Sequence, residues 1–166
     1  MQTQQEPLIL TLQLDAESEA FFNEQRQRYF PPERNFLKAH LTLFHHLPNT
    51  AETRKYLASI EHERFKLHVT GLRNLGGGVA YKIESPALLQ IRKILVARFN
   101  DVLIPQDRQG FRPHITIQNK VLPAQAKELL GVLEADFKPF EVKALGLNLW
   151  AYLGGPWRHE AHYTFK

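Results

Sequence analysis

The sequence predicts an α+β fold of two similar lobes, a single bilobal domain over residues 1–166, and three observations carry that expectation. Segments with strand and helix periodicity alternate along the whole chain, with no low-complexity stretch or Ser/Gly linker between them. The order strand, helix, strand, helix, strand occurs twice: Pro48, Phe65, Gly71 and Leu72 lie 75 positions before Pro123, Phe140, Gly146 and Leu147. A His-x-Thr triplet also occupies the same place in each half, His40-Leu41-Thr42 and His114-Ile115-Thr116, 74 positions apart. Two copies are too few for a solenoid, so a closed pair of lobes about a pseudo-two-fold axis is expected.

Each element has a local reason. The stretch "PLILTLQLD" alternates as a strand does and ends at Asp15, a good N-cap for the helix "AESEAFFNEQRQRYF". Pro31-Pro32 stops that helix, because proline has no N–H to donate. "AHLTLFHHL" is a strand, and Asn49 with Glu52 offers a capping box for "TAETRKYLASIEH". "FKLHVTGL" and "GGVAYKIES" are strands joined through Gly76-Gly77-Gly78, a hairpin region with no Lys-Ser/Thr after it and so not a phosphate loop. Ser85-Pro86 starts a third helix whose Leu88, Ile91, Leu95 and Phe99 form one apolar stripe. "RPHITIQNK" is a strand, "PAQAKELLGVLEADF" a helix, and "FEVKALGLNLWAYL" and "HEAHYTFK" are the closing strands.

Composition narrows the function. At 166 residues and 43% hydrophobic, the chain is long enough for a real core. No apolar run approaches the roughly 18 residues of a membrane span, and the N-terminus "MQTQQEPLIL" lacks the basic segment of a signal peptide. Cysteine is absent, which removes disulfides, thiolate catalysis and Cys-based zinc sites and fits a cytoplasmic location. A net charge of +4 favours anionic partners such as phosphates or RNA, although a solvated basic surface has the same composition.

The chain holds four His-x-Thr triplets, at His40, His68, His114 and His162, where chance placement of its eight histidines gives fewer than one. Only His40 and His114 are equivalent in the repeat; His68 aligns with Lys143, and His162 has no such counterpart. Along a strand, His40 and Thr42 share one face with Leu41 and Leu43 behind them, and His114 and Thr116 do the same before Ile115 and Ile117. A two-fold arrangement brings two imidazoles and two hydroxyls to one cleft. With an ordinary pKa near 6.5, one imidazole can be neutral while the other is protonated. The neutral ring takes a proton from attacking water, the protonated ring gives one to a departing ribose oxygen, and the threonines donate to non-bridging phosphate oxygens. This chemistry needs no metal. A single such triplet more often decorates a half-exposed strand; the symmetric pair favours a site.

The paired "HLTL" and "HITI", in halves of matching element order, resemble the motifs of the two-histidine (2H) phosphoesterases, specifically the 2'-5' RNA ligase / RNA 2',3'-cyclic phosphodiesterase family. The resemblance spans nearly the whole chain. It implies two antiparallel sheets flanking a central cleft with helices outside, and metal-independent hydrolysis of cyclic or 2',5'-linked phosphodiesters. RNA ends or nucleotides with a 2',3'-cyclic phosphate would be opened to 2'-phosphates, with His40 as the acid and His114 as the base. The residues by themselves do not rank those two roles. Many relatives carry an arginine five residues after the second histidine, where this chain has Asn119. Lys120, one place on, shares strand parity with His114 and offers a point charge to phosphate, without the bidentate fork of arginine.

Further candidates follow from strand parity. Arg112 and Lys38 each precede a motif histidine by two, and regular parity aims both at the cleft to recruit phosphate, Arg112 before Lys38. Pro113 can break that parity at Arg112, and the alternative for both is a basic side chain facing water. Phe44 shares the parity of His40 and Thr42 and is a candidate to stack a base, with packing at the strand's end as the alternative. Trp157, in "GGPWRHE", is a second stacking candidate or a cap on a core edge. His45-His46 and His159-x-x-His162 lack carboxylates at ligand spacing, so no metal is expected, and no cofactor. A monomer without a protein partner is the expectation. Two other functions fit the same residues: an RNA- or nucleotide-binding module without turnover, and reversible RNA ligation by the same acid–base chemistry. No nucleotide-activating lysine motif suggests an ATP-dependent ligase.

Overall fold

A computed structural model describes residues 5–166, so the first four residues of the N-terminal reading lie outside the described residues. The elements run β1 (Leu8–Leu14), α1 (Ala16–Tyr29), β2 (Leu41–Leu47), α2 (Ala51–Ala58), β3 (Phe65–Asn74), β4 (Val79–Glu84), α3 (Pro86–Phe99), α4 (Pro105–Arg108), β5 (His114–Gln118), α5 (Pro123–Asp136), β6 (Phe140–Tyr152) and β7 (Trp157–Thr164). The α+β expectation holds throughout. Asp15 caps α1 by accepting from the Ser18 N–H, and Ser85 caps α3 by accepting from the Leu88 N–H. The α2 cap is one residue later than expected. Thr50 accepts from the Thr53 N–H, while Asn49 is occupied with the Glu6 carbonyl and Arg54.

All seven strands belong to one antiparallel, continuously hydrogen-bonded sheet in the order β2-β1-β6-β3-β4-β5, with β7 also on β6. The two expected sheets are its two ends, joined through β6, whose 13 residues pair with β3 at the start and with β1 and β7 further on. In the β3–β6 ladder Leu67 lies opposite Val142, its own counterpart 75 residues on. That register is compatible with a pseudo-two-fold axis through the pair. Of the repeated glycines, Gly146 is the one sterics demand, since a Cβ there would come 2.3 Å from the Tyr163 carbonyl oxygen on β7.

The helices are exchanged between the ends of the sheet. Phe21 and Phe22 of α1, which follows β1, pack on Tyr81 of β4 and Phe140 of β6. Phe99 of α3, which follows β4, packs on Phe44 of β2 and Tyr56 of α2. The α3 stripe Leu88, Ile91, Leu95 and Phe99 is buried as its spacing requires. Each such side chain contributes roughly 1.5–3 kcal/mol relative to exposure. The exchange also delivers one buried arginine to each motif strand. Arg26 of α1 donates to the Thr116 carbonyl on β5, and Arg92 of α3 donates to the Leu43 carbonyl on β2. Although β2 and β5 are the outermost strands of the sheet order, its curvature and these helices bring them face to face around one cleft.

Candidate active site

The cleft has a volume of about 540 Å³, and its walls include His40 and Thr42 from β2 and His114 and Thr116 from β5. The pair inferred from the repeat thus meets in one cavity, of a size suited to a nucleotide-scale ligand. The other two triplets do not reach it: His68 lies beside Glu141, and the His162 ring bonds the Gln13 side chain.

The two rings are held alike. His40 Nδ1 donates to the Lys38 carbonyl at 2.7 Å, and His114 Nδ1 donates to the Arg112 carbonyl at 2.8 Å. A carbonyl can only accept, so each neutral ring carries its proton on Nδ1 and leaves the Nε2 lone pair free for proton transfer. Their surroundings differ. Burial, opposed by the Lys38 carbonyl and assisted by the charges of Arg26, His45 and His114, pushes His40 down to about 4. The Trp157 ring packs on it with centroids 4.6 Å apart. Burial also lowers His114, opposed by the Arg112 carbonyl and assisted by Arg73 and His45.

The remaining candidates divide. Arg112 lines the cleft from the segment just before β5. Lys120 does not; β5 ends at Gln118, and Lys120 sits in a turn with φ +64°, its N–H on the Asn119 side chain. Phe44 is fully buried, sandwiched against Phe99 and under the Arg92 guanidinium at 4.1 Å, and cannot stack a base. The reason is a break in strand register. From Thr11 to Leu10 on β1 the partner on β2 advances from Thr42 to Phe44, and from Leu10 to Leu8 it advances from Phe44 to Leu47. Each step inserts one extra residue into β2, so parity counted from His40 fails beyond Thr42. Trp157 touches His40 and also packs near Trp150.

Other groups of the cleft were not anticipated there, among them Arg73 and His45. Arg73 of β3 lines the wall near His114. Its repeat counterpart is Asn148, so symmetry gave no signal for it. His45 lines the cleft as well, turned inward by the β2 irregularity, with its ring on Asp107 of α4. Among the described lining residues Asp107 is the one carboxylate, and at 1% exposure it is turned away from any ligand. The accessible charge in the cleft is therefore cationic, complementary to phosphate.

Imidazoles, hydroxyls and guanidiniums thus converge on one cleft, a set of groups complementary to a phosphate ester. A family model for the 2'-5' RNA ligase superfamily matches residues 14–156, and the chain belongs to that superfamily. The fold is shared with E. coli LigT, solved in complex with 3'-AMP (18% identity, 98% of this chain and 99% of that one, TM-score 0.62). It is also shared with a structure described as a phosphoesterase (20% identity, 98% and 99%, TM-score 0.65). A protein from Thermus thermophilus gives a similar match (18% identity, 96% and 97%, TM-score 0.67). No curated protein sequence matches the chain. Among the described residues, no helix is long and apolar enough to cross a membrane.

Proposed function

We infer that the chain is a phosphodiesterase that opens 2',3'-cyclic phosphates at RNA ends or on nucleotides, leaving 2'-phosphates. The observation that carries this reading is the convergence of two Nδ1-anchored histidines, with two threonines, in one cationic cleft. His114 Nε2 accepts a proton from the water that attacks phosphorus. Protonated His40 gives its Nε2 proton to O3' as the P–O3' bond breaks, so the products are a 2'-phosphate monoester and a 3'-hydroxyl. Thr42, Thr116 and Arg112 hold the non-bridging oxygens, where negative charge accumulates in the transition state. Trp157 offers an aromatic surface on the His40 side for the base. The roles of the two histidines follow the family resemblance. With a 5'-hydroxyl in place of the attacking water, the same two proton transfers open the cyclic phosphate to a 2',5'-phosphodiester and a 3'-hydroxyl, a joining reaction over which bulk water favours hydrolysis.

The test is incubation with 2',3'-cyclic nucleotides and a cyclic-phosphate-ended oligonucleotide in EDTA, with the product isomer identified. A 2'-phosphate product from the wild-type protein is expected. RNA binding without turnover on any of these substrates would instead favour a binding module that keeps the cleft.

A further inference from the structure

Besides His40 and His114 the cleft holds a third histidine whose surroundings differ in kind. The His45 N–H and the His46 N–H, consecutive along β2, both point to Asp107, at 2.9 Å and 3.0 Å. Adjacent N–H groups facing the same way are a consequence of the extra residue in β2, and the buried carboxylate satisfies both. The same carboxylate accepts from His45 Nδ1 at 2.9 Å. These contacts, against the cost of burial, hold the Asp107 carboxyl below the usual carboxylate range. Arg92 locks the assembly by donating to both the Leu43 and Asp107 carbonyls.

His40 and His114 direct Nδ1 to neutral carbonyls, whereas His45 directs it to an ionised carboxylate. A carboxylate acceptor compensates an imidazolium, and only the imidazolium can donate from Nε2 while Nδ1–H is committed to Asp107. The His45 side chain is 46% exposed and lines the same cleft as His40 and His114. The other charged groups around it are Arg92 from α3, Arg73 from β3 and Arg112 from the segment leading into β5.

We propose that His45, oriented and charge-compensated by Asp107, is an anion-binding residue of the cleft that donates from Nε2 to a non-bridging oxygen of the substrate phosphate. It rests on the reading of the cleft as a phosphodiester site. His45 lies five residues after His40, and at the same offset from His114 the β5 side has the uncharged Asn119.

The experiment is calorimetric binding of inorganic phosphate and of 2'-AMP to wild-type protein and to His45→Gln, with folding checked by circular dichroism and thermal unfolding. Loss of one charge-assisted hydrogen bond should weaken both ligands by about tenfold or more. The partly exposed side chain makes His45→Gln compatible with folding, and Asp107→Asn serves as a second variant that weakens the same ligands. Equal affinity in wild type and His45→Gln, or no phosphate binding by the wild type at millimolar concentration, overturns the proposal. Cyclic-phosphate hydrolysis is followed in parallel. Turnover with His45-independent phosphate binding sinks this inference alone, whereas His45-dependent binding without turnover sinks the hydrolase reading and keeps the anion site.

Discussion

The two motif strands carry the same triplet in unlike surroundings. On the β2 side, His40 lies against Trp157 and is pushed down to about 4, and the strand is broken by extra residues that bury Phe44 and expose His45. On the β5 side, the strand keeps alternating from His114 to Ile117, and the histidine is flanked by Arg73 and Arg112 instead of an indole. The same triplet thus stands on both walls of the cleft, and what differs is the company each ring keeps. An indole lies beside the β2 ring and guanidiniums beside the β5 ring.

The largest effect should come from removing either ring. His40→Ala or His114→Ala is expected to lower turnover of a 2',3'-cyclic nucleotide by roughly 10²–10⁴-fold, the usual worth of a positioned acid or base. A substrate whose leaving group needs no protonation, such as a nitrophenyl phosphodiester, separates the roles. It should restore much of the activity of His40→Ala and little of that of His114→Ala. The opposite pattern would exchange acid and base between the halves.

The buried arginines come next. Replacing Arg92 by Met strands the Leu43 and Asp107 carbonyls and removes the cation beside Asp107, and is expected to cost about 2–4 kcal/mol in chemical denaturation. Arg26→Met should cost less. Burial alone pushes Arg26 down to about 10 with no carboxylate beside it, so an apolar replacement also relieves a desolvated charge. Equal losses would mean that the two braces do not differ as their surroundings imply.

Smaller effects concern pH. Both motif histidines titrate below the ordinary imidazole value, so the kcat/KM optimum, which reports the free protein, is expected on the acid side of about pH 6.5. Trp157→Ala should let water reach His40 and move its titration, followed by NMR, up toward the ordinary value. Stability follows the same linkage. Between about 4 and 6.5 the unfolded chain binds the His40 proton that the folded chain refuses. That contribution is therefore complete above the unfolded pKa and is lost as pH falls toward 4.

Much of this was legible in the sequence because it rests on period and repetition. The strands, the caps at Asp15 and Ser85, the α3 stripe and the pairing of His40 with His114 all follow from local patterns that the structure repeats. The missed groups lie where those patterns break. Phe44 and His45 exchanged faces because the β2 irregularity is set by its pairing with β1, which a single strand does not reveal. Asp107 sits in the short α4, in a segment with no periodicity to read. Lys120 lost its expected place because β5 stops two residues before it. The asymmetry between the halves, more than their likeness, was hidden.

The measurement that bears most directly on the central claim is the turnover of His40→Ala, His114→Ala and the double variant on one 2',3'-cyclic nucleotide. If the rings act as one acid–base pair, the double variant should be about as slow as either single one, because removing one partner already disables the other. Losses that multiply, or a single variant that keeps near-wild-type turnover, would contradict a two-histidine mechanism in this cleft.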